Sequence, residues 1–321
     1  MKTNPLILTC SLLFSTSSMA WDNTGHQVVA QIAYDTLSSE SPSTKSKLDA
    51  IIQADPRPWR QDLLICAIWP DLNKHRNEVK NPPAGLFTNA PIESSWHFVD
   101  IPYAETDAMV ISNFVNLPGT EPDPRHPDNS GNVVIAIRYY SSLLQQSVKD
   151  PQGDAQDRAD YLSWVVHYVG DSHQPLHCVN ATEAVGNYTP PESGDAGGNG
   201  FTLSGIGRIK ELHALWDDQM DLTAQEKGTK QDAIHPDHAN IESIAKRLET
   251  EHPESEFTEQ LKFTDPMIWA LESYSYRAQV YDLPTNAPPS DQYMNFANTT
   301  AEERIALAGY RLAALLKANL E

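Results

Sequence analysis

Along most of the chain, apolar residues recur every three to four positions, and these rhythmic segments are separated by stretches with no apolar rhythm. The rhythmic segments predict amphipathic helices. "TGHQVVAQIAYDTL" predicts a helix over residues 24–38. "SPSTKSKLDAIIQ" opens on serine and proline, which cap and begin helices, and continues as a second. "RQDLLICAIWPD" predicts a third that stops near Pro70, because proline withdraws a backbone donor and crowds the preceding turn. The same period runs through "NVVIAIRYYSSLLQQSV", "AQDRADYLSWVVHYVGDSHQPLH", "IKELHALWDDQMD", "DPMIWALESYSYRAQVY" and "TAEERIALAGYRLAALLKANL". Alternation of period two is rare, and "GNGFTLSGI" is one short strand candidate. The expected class is therefore all-α.

The arrhythmic stretches at 77–95, 116–131 and 187–200 are rich in Pro, Asn and Gly. Loops of that length in a compact protein usually serve function. No internal repeat, low-complexity tract or clean linker divides the chain. The residues of chemical interest run from position 21 to 217, so one continuous site implies one domain over 21–321.

The first twenty residues read differently. Lys2, the apolar "PLILTCSLLF" and the small "SMA" form an export signal with cleavage expected between Ala20 and Trp21. The apolar run is too short to span a bilayer, and no later segment is longer. The mature protein is thus expected to be secreted or periplasmic. There an oxidising compartment permits, but does not establish, a bond between Cys66 and Cys178. Asn180, Asn187 and Asn298 open N-x-S/T sequons, which matter only in a glycosylating host.

Hydrophobic residues make up 40% of the chain and charged residues 21%, ordinary for a soluble globule. The formal net charge is −20. Binding nucleic acid by broad phosphate neutralisation needs a basic surface, so that mode is excluded. Phosphate chemistry is not excluded, because bound metal ions can concentrate positive charge locally.

The histidines point the same way. There are only 11 in 321 residues, yet "HYVGDSHQPLH" holds His167, His173 and His177 with Asp171 among them. His167 and Asp171 fall at i and i+4 on one helix face, and so do His213 and Asp217 in "ELHALWDD". Such a pair either decorates a helix surface or chelates zinc, since imidazole and carboxylate both reach one ion at about 2.0–2.2 Å. Pro175 should end the first helix and let His177 turn back toward it. "AIWPDLNK" adds Asp71 and "SSWHFVD" adds His97, although each taken singly is more often structural. After cleavage Trp21 would carry a free α-amino group that chelates together with its own carbonyl oxygen, with His26 one helical turn on.

Taken in order, "WDNTGH", "WPDLNK", "WHFVD", "HYVGDSHQPLH", "GGN" and "LHALWD" resemble the zinc-dependent type I nuclease/3′-nucleotidase family of single-strand-preferring secreted nucleases. The resemblance covers Trp21 to Asp217, beyond which the chain matches only as generic helices. It implies a mostly helical domain with three Zn²⁺ in one cleft. The first ion would take Asp71, His97, His167 and Asp171. The second would take His177, His213 and Asp217. The third would take the Trp21 amine and carbonyl, His26 and Asp171, which bridges two ions. The implied activity is hydrolysis of single-stranded DNA and RNA to 5′-phosphorylated products by zinc-activated hydroxide, with 3′-nucleotides as further substrates.

The resemblance further implies that Asp71 orients the attacking water and that Lys74 and Asn199 contact the phosphate. Phe98 would stack on a splayed base whose edge Asp100 reads. His173 is expected to be structural or supporting, and His75, His126, His235, His238 and His252 to be solvated surface residues. Nothing suggests an obligate partner, so a monomer is expected. Two rivals remain. A zinc-dependent phospholipase C shares the three-metal plan, but tends to carry Glu where this chain has Asp217 and lacks the "HFVD" pocket. A non-catalytic zinc-binding secreted protein would have no use for Lys74, Asn199, Phe98 and Asp100.

Overall fold

A computed structural model describes residues 21–74, 94–103, 131–150, 152–223 and 235–321. The export segment, most of the first two long loops, His75 and His126 lie outside the described residues. The elements are α1 (Asn23–Glu40), α2 (Pro42–Gln53), α3 (Leu63–Lys74), α4 (Val133–Ser147), α5 (Ala155–Asp171), β1 (Thr202–Ile206), β2 (Ile209–Glu211), α6 (Leu212–Asp217), α7 (Gln219–Thr223), α8 (His238–Glu251), α9 (Pro266–Ser275), α10 (Arg277–Val280) and α11 (Asp291–Leu320), with short 3₁₀ turns between them. The fold is all-α, as the periodicity predicts.

Polar caps set the helix starts. Asp22 accepts from the Gly25 amide at 2.9 Å, Asn132 from Ile135 at 3.1 Å and Asp154 from Gln156 at 2.7 Å. Each satisfies a donor that the first helical turn would otherwise leave unpaired. Three helices are enclosed on nearly every side over part of their length: α1 from Thr24 to Ala30, α5 from Leu162 to Asp171 and α11 from Arg304 to Ala313. Enclosure of that kind is reserved for helices at the centre of a bundle. α1 packs against α11 and α3, and α5 against α4 and α3, so α1, α3 and α5 share one interior. The buried side chains form one contiguous cluster from Trp21 to Leu320.

Several boundaries differ from the sequence reading. α3 runs through Pro70 to Lys74, because Asp71, Leu72 and Asn73 are buried beside it. An interior proline costs about 3 kcal/mol, and burial of Leu64, Ile68, Trp69 and Leu72 on the same helix outweighs that. The segment expected to be helical from Ile209 begins instead as β2, drawn into an antiparallel hairpin with β1 through the Gly207 turn. α11 starts at Asp291 rather than Thr300, capped by Ser290 and anchored by buried Tyr293 and Ala297. The helix expected over 265–281 breaks at Tyr276 into α9 and α10. α8 is absent from the elements the sequence predicts, although Ile241, Ile244, Ala245 and Leu248 fall on one helical face among charged residues.

The disulfide that the sequence leaves open is not formed. Cys66 and Cys178 are buried and free, their thiols donating at 3.5 Å to the carbonyls of Arg60 and Ser172 respectively. Among the described residues no helix is long and apolar enough to cross a membrane.

Candidate metal centre

Six segments deliver imidazoles and carboxylates to one interior. α1 brings His26, the buried end of α3 brings Asp71 and a 3₁₀ turn over Ser94–His97 brings His97. The last turn of α5 brings His167 and Asp171, a 3₁₀ turn over Pro175–Cys178 brings His177, and α6 brings His213 and Asp217. Pro175 opens that turn rather than kinking α5, which has already ended at Asp171. All eight residues are at most 5% exposed.

They fall into three groups whose ligand-capable atoms lie within 4.8 Å of one another: Asp71, His97 and His167; His26, His167 and Asp171; and His177, His213 and Asp217. Asp171 is central. Its Oδ2 lies 3.0 Å from His97 Nδ1 and 3.4 Å from His167 Nε2, and its Oδ1 lies 3.2 Å from His26 Nε2. Asp71 reaches His97 at 3.6 Å and His167 at 3.7 Å. In the third group His177 Nε2 and His213 Nε2 are 3.1 Å apart, and Asp217 Oδ1 is 3.6 Å from the latter.

Tautomers follow from the outer bonds. His167 Nδ1 donates to the Ala67 carbonyl at 2.8 Å, His177 Nδ1 to the His97 carbonyl at 2.6 Å and His213 Nδ1 to the Gly197 carbonyl at 2.5 Å. The Nε2 of each ring is then a bare lone pair. Burial reinforces this, pushing His26 and His213 down to about 4 and holding His97 and His177 well below the ordinary range. Two neutral Nε2 lone pairs facing each other at 3.1 Å repel, and no proton lies between them. A cation there reverses the sign, and an N–N separation near 3 Å is what two imidazoles at about 2.0–2.1 Å from one zinc require. Burial likewise raises the Asp171 carboxyl well above its usual range. Neither ring nitrogen of His26 nor Asp171 Oδ1 has a hydrogen-bond partner. A buried group left so is costly unless a metal engages it. The donor set fits zinc: nitrogen and oxygen only, neutral imidazoles, and outer bonds that orient the rings.

Local backbone choices make this crowding feasible. A Cβ on Gly170 would sit 2.7 Å from His26 Nδ1, and one on Gly25 would sit 2.6 Å from Trp21 Cβ. Gly197, at φ +63°, approaches so closely that a Cβ would meet the Leu176 carbonyl oxygen at 2.3 Å, and its own carbonyl holds His213. Trp21 is fully buried, and its indole donates to the Gly170 carbonyl at 3.1 Å. The sequence reading missed Gln174, whose amide nitrogen donates to Asp217 Oδ1 at 2.8 Å while its oxygen accepts from the Leu176 amide. Its position between Asp171 and His177 was the available signal.

Of the expected substrate residues, Lys74, Asn199 and Phe98 lie beside the groups. Lys74 ends α3, and its charge helps lower His97, His177 and His213. Asn199 is half-buried, its amide donating to the Ala196 carbonyl at 2.6 Å and lying 3.2 Å from His213 Nδ1. Phe98 is half-buried beside His97, and Asp100 is exposed. Loss of hydration and the Asp195 carboxylate push Asp100 up to about 6. His173 is fully buried, His235 and His238 are exposed, and His252 is half-buried.

The chain is 28% identical to Nuclease S1 of Aspergillus oryzae, covering 97% of this chain and 95% of that one. It is 26% identical to Nuclease P1 of Penicillium citrinum, covering 91% and 95%. Among solved structures, alpha toxin from Clostridium absonum aligns with a TM-score of 0.43 at 15% identity, over 94% of this chain and 64% of that chain. The S1/P1 nuclease family model matches residues 21–321. The chain therefore belongs to the S1/P1 nuclease family, zinc-dependent in general, and is a hydrolase of the endonuclease kind.

Proposed function

We propose that this chain, exported and cleaved between Ala20 and Trp21, is a single-domain, monomeric phosphodiesterase holding three zinc ions. It cuts single-stranded DNA and RNA to 5′-phosphorylated products and removes phosphate from 3′-nucleotides. The observation that carries the reading is the buried meeting of Asp71, Asp171 and Asp217 with five neutral imidazoles. Asp71, His97, His167 and Asp171 would hold the first ion, and His177, His213 and Asp217 the second. The Trp21 amine and carbonyl, His26 and Asp171 would hold the third. Zinc bound there supplies Lewis acidity and lowers the pKa of water toward neutrality.

The rest falls to the chain's own groups. Asp71 orients the water that attacks phosphorus. Lys74 offsets charge on the phosphate, and Asn199 donates to a phosphate oxygen. Phe98 offers a face for an unpaired base, and Asp100 accepts from its edge, which selects single strands because a paired base cannot be splayed onto a ring. The acidic remainder of the surface, within a net −20, favours a concentrated positive site over a broad basic one.

A paired assay tests the reading. Protein beginning at Trp21 should release acid-soluble 5′-phosphorylated nucleotides from single-stranded DNA and RNA, and a chelator should stop it. Cleavage of phosphatidylcholine without nucleotide release would replace the reading with a phospholipase. Tight zinc binding with neither activity would leave a zinc-binding protein.

A further inference from the structure

The proposed zinc ligands Asp171 and His177 flank a five-residue turn, Ser172–Leu176, buried throughout. Gln174 ties the inner side of this turn to Asp217. Its outer side is tied to the far end of the chain. Ser273 on α9 donates to the Ser172 carbonyl at 2.7 Å, and Arg304 on α11 donates to the His173 carbonyl at 3.3 Å and to the Ser273 hydroxyl at 2.7 Å. One α11 side chain reaches the imidazole itself: Arg311 Nη1 donates to His173 Nε2 at 3.0 Å. His173 Nδ1 donates to the Val169 carbonyl at 2.7 Å, so the ring is neutral and its Nε2 is the acceptor. Glu272 fixes the guanidinium from the other side with contacts of 2.6 and 2.9 Å. Arg311 is 2% exposed and His173 is fully buried.

We infer that Arg311, acting through His173, is a positioning residue for the zinc centre. The inference rests on the proposed zinc reading and extends it to a part of the chain where the sequence shows only generic helix. Neither residue faces the ligand atoms. The run of bonds from Arg311 through the His173 ring to the Val169 carbonyl pins the turn between two proposed ligands of different ions, so losing it lets Asp171 and His177 drift apart while the carboxylate and the imidazole themselves remain. Residues that hold metal ligands from behind change metal affinity by about 10–100-fold when removed.

The test is zinc release to a chromogenic chelator from zinc-loaded protein beginning at Trp21, with the thermal midpoint recorded in parallel. Arg311→Met and His173→Leu remove the bond. His173→Gln keeps an acceptor near the position of Nε2. Leu248→Ala, in the core on α8, destabilises without touching the turn. Release at least about tenfold faster in Arg311→Met and His173→Leu, near-natural release in His173→Gln and unchanged release in Leu248→Ala would support the inference. Release from the first two no faster than from Leu248→Ala would overturn it. If Arg311→Met does not fold, the His173 pair decides alone. A natural chain that holds no zinc would overturn the zinc reading and this inference together, whereas a zinc-holding chain with unaffected variants overturns the inference only.

Discussion

α5 runs between two buried polar clusters of opposite character. Near its start, Asp160 and Ser163 meet Asp55, Arg57 and Arg60: Arg57 bonds Asp55 at 2.8 Å and Asp160 at 2.6 Å, and Arg60 bonds Asp160 at 2.5 Å and also Ser163. Arg60 is fully buried and stacks over Trp69 at 4.0 Å. Two guanidinium groups answer two carboxylates, so the cluster is electrically closed. At the other end of the same helix, His167 and Asp171 join two further carboxylates and four further imidazoles, the rings held neutral by burial, with no arginine among them. A closed cluster needs nothing more and locks the segment between α2 and α3 to α5. An open one of equal burial is stable only with something added. Burial of charge alone is a poor marker of function, and an unbalanced burial is a better one.

Breaking each cluster should therefore cost different things. The largest effect is expected from Asp171→Asn, whose carboxylate lies against His26, His97 and His167. Turnover on single-stranded DNA should fall by more than about a hundredfold, beyond the loss typical of residues that only support ligands. Zinc content should fall with it, and near-normal turnover would undo the bridging role. Arg60→Met should instead leave zinc content intact while lowering unfolding free energy by about 3–5 kcal/mol, because it removes one of the two buried guanidinium groups that balance Asp55 and Asp160. Denaturant titration beside metal analysis separates the two outcomes, and loss of zinc without loss of stability would reverse the comparison.

Smaller effects probe the edges of the open cluster. One residue left ahead of Trp21 consumes the amine proposed for the third ion. That ion's dissociation constant should rise by roughly tenfold or more, a loss of about 1.4 kcal/mol, and equal zinc titrations for both forms would remove Trp21 from the ligand set. Phe98→Ala should raise KM on single-stranded substrates by about tenfold, within the 1–3 kcal/mol of one stacked base, with little change in kcat. An unchanged KM would remove Phe98 from the base pocket. The smallest effect is one of pH. Asp100, held near 6, accepts through both oxygens when ionised and presents one of them as a donor when protonated. Affinity for bases that present donors should be full above pH 6 and weaken as pH falls through it, and Asp100→Asn should flatten that profile.

Much of the molecule was legible in the residues. Both His/Asp pairs at i, i+4 lie on helices as read, because that spacing is local geometry. The three groups of ligand-capable atoms draw only on residues singled out beforehand. What stayed illegible is non-local. Pro70 inside α3, the hairpin at Gly207 and the closed Asp55–Arg57–Arg60–Asp160 cluster are decided by packing between segments far apart in the chain. His173 was foreseen as structural, but its partner Arg311 lies 138 residues away, and no spacing rule connects them.

The central question is whether metal that the reaction needs completes the open cluster. The direct measurement is zinc per chain, by elemental analysis, on protein beginning at Trp21, alongside nucleotide release from single-stranded DNA before and after stepwise removal of zinc. Three zinc ions per chain, with release lost as they are withdrawn and restored as they are returned, is the predicted result. Undiminished nucleotide release from fully stripped protein would contradict it.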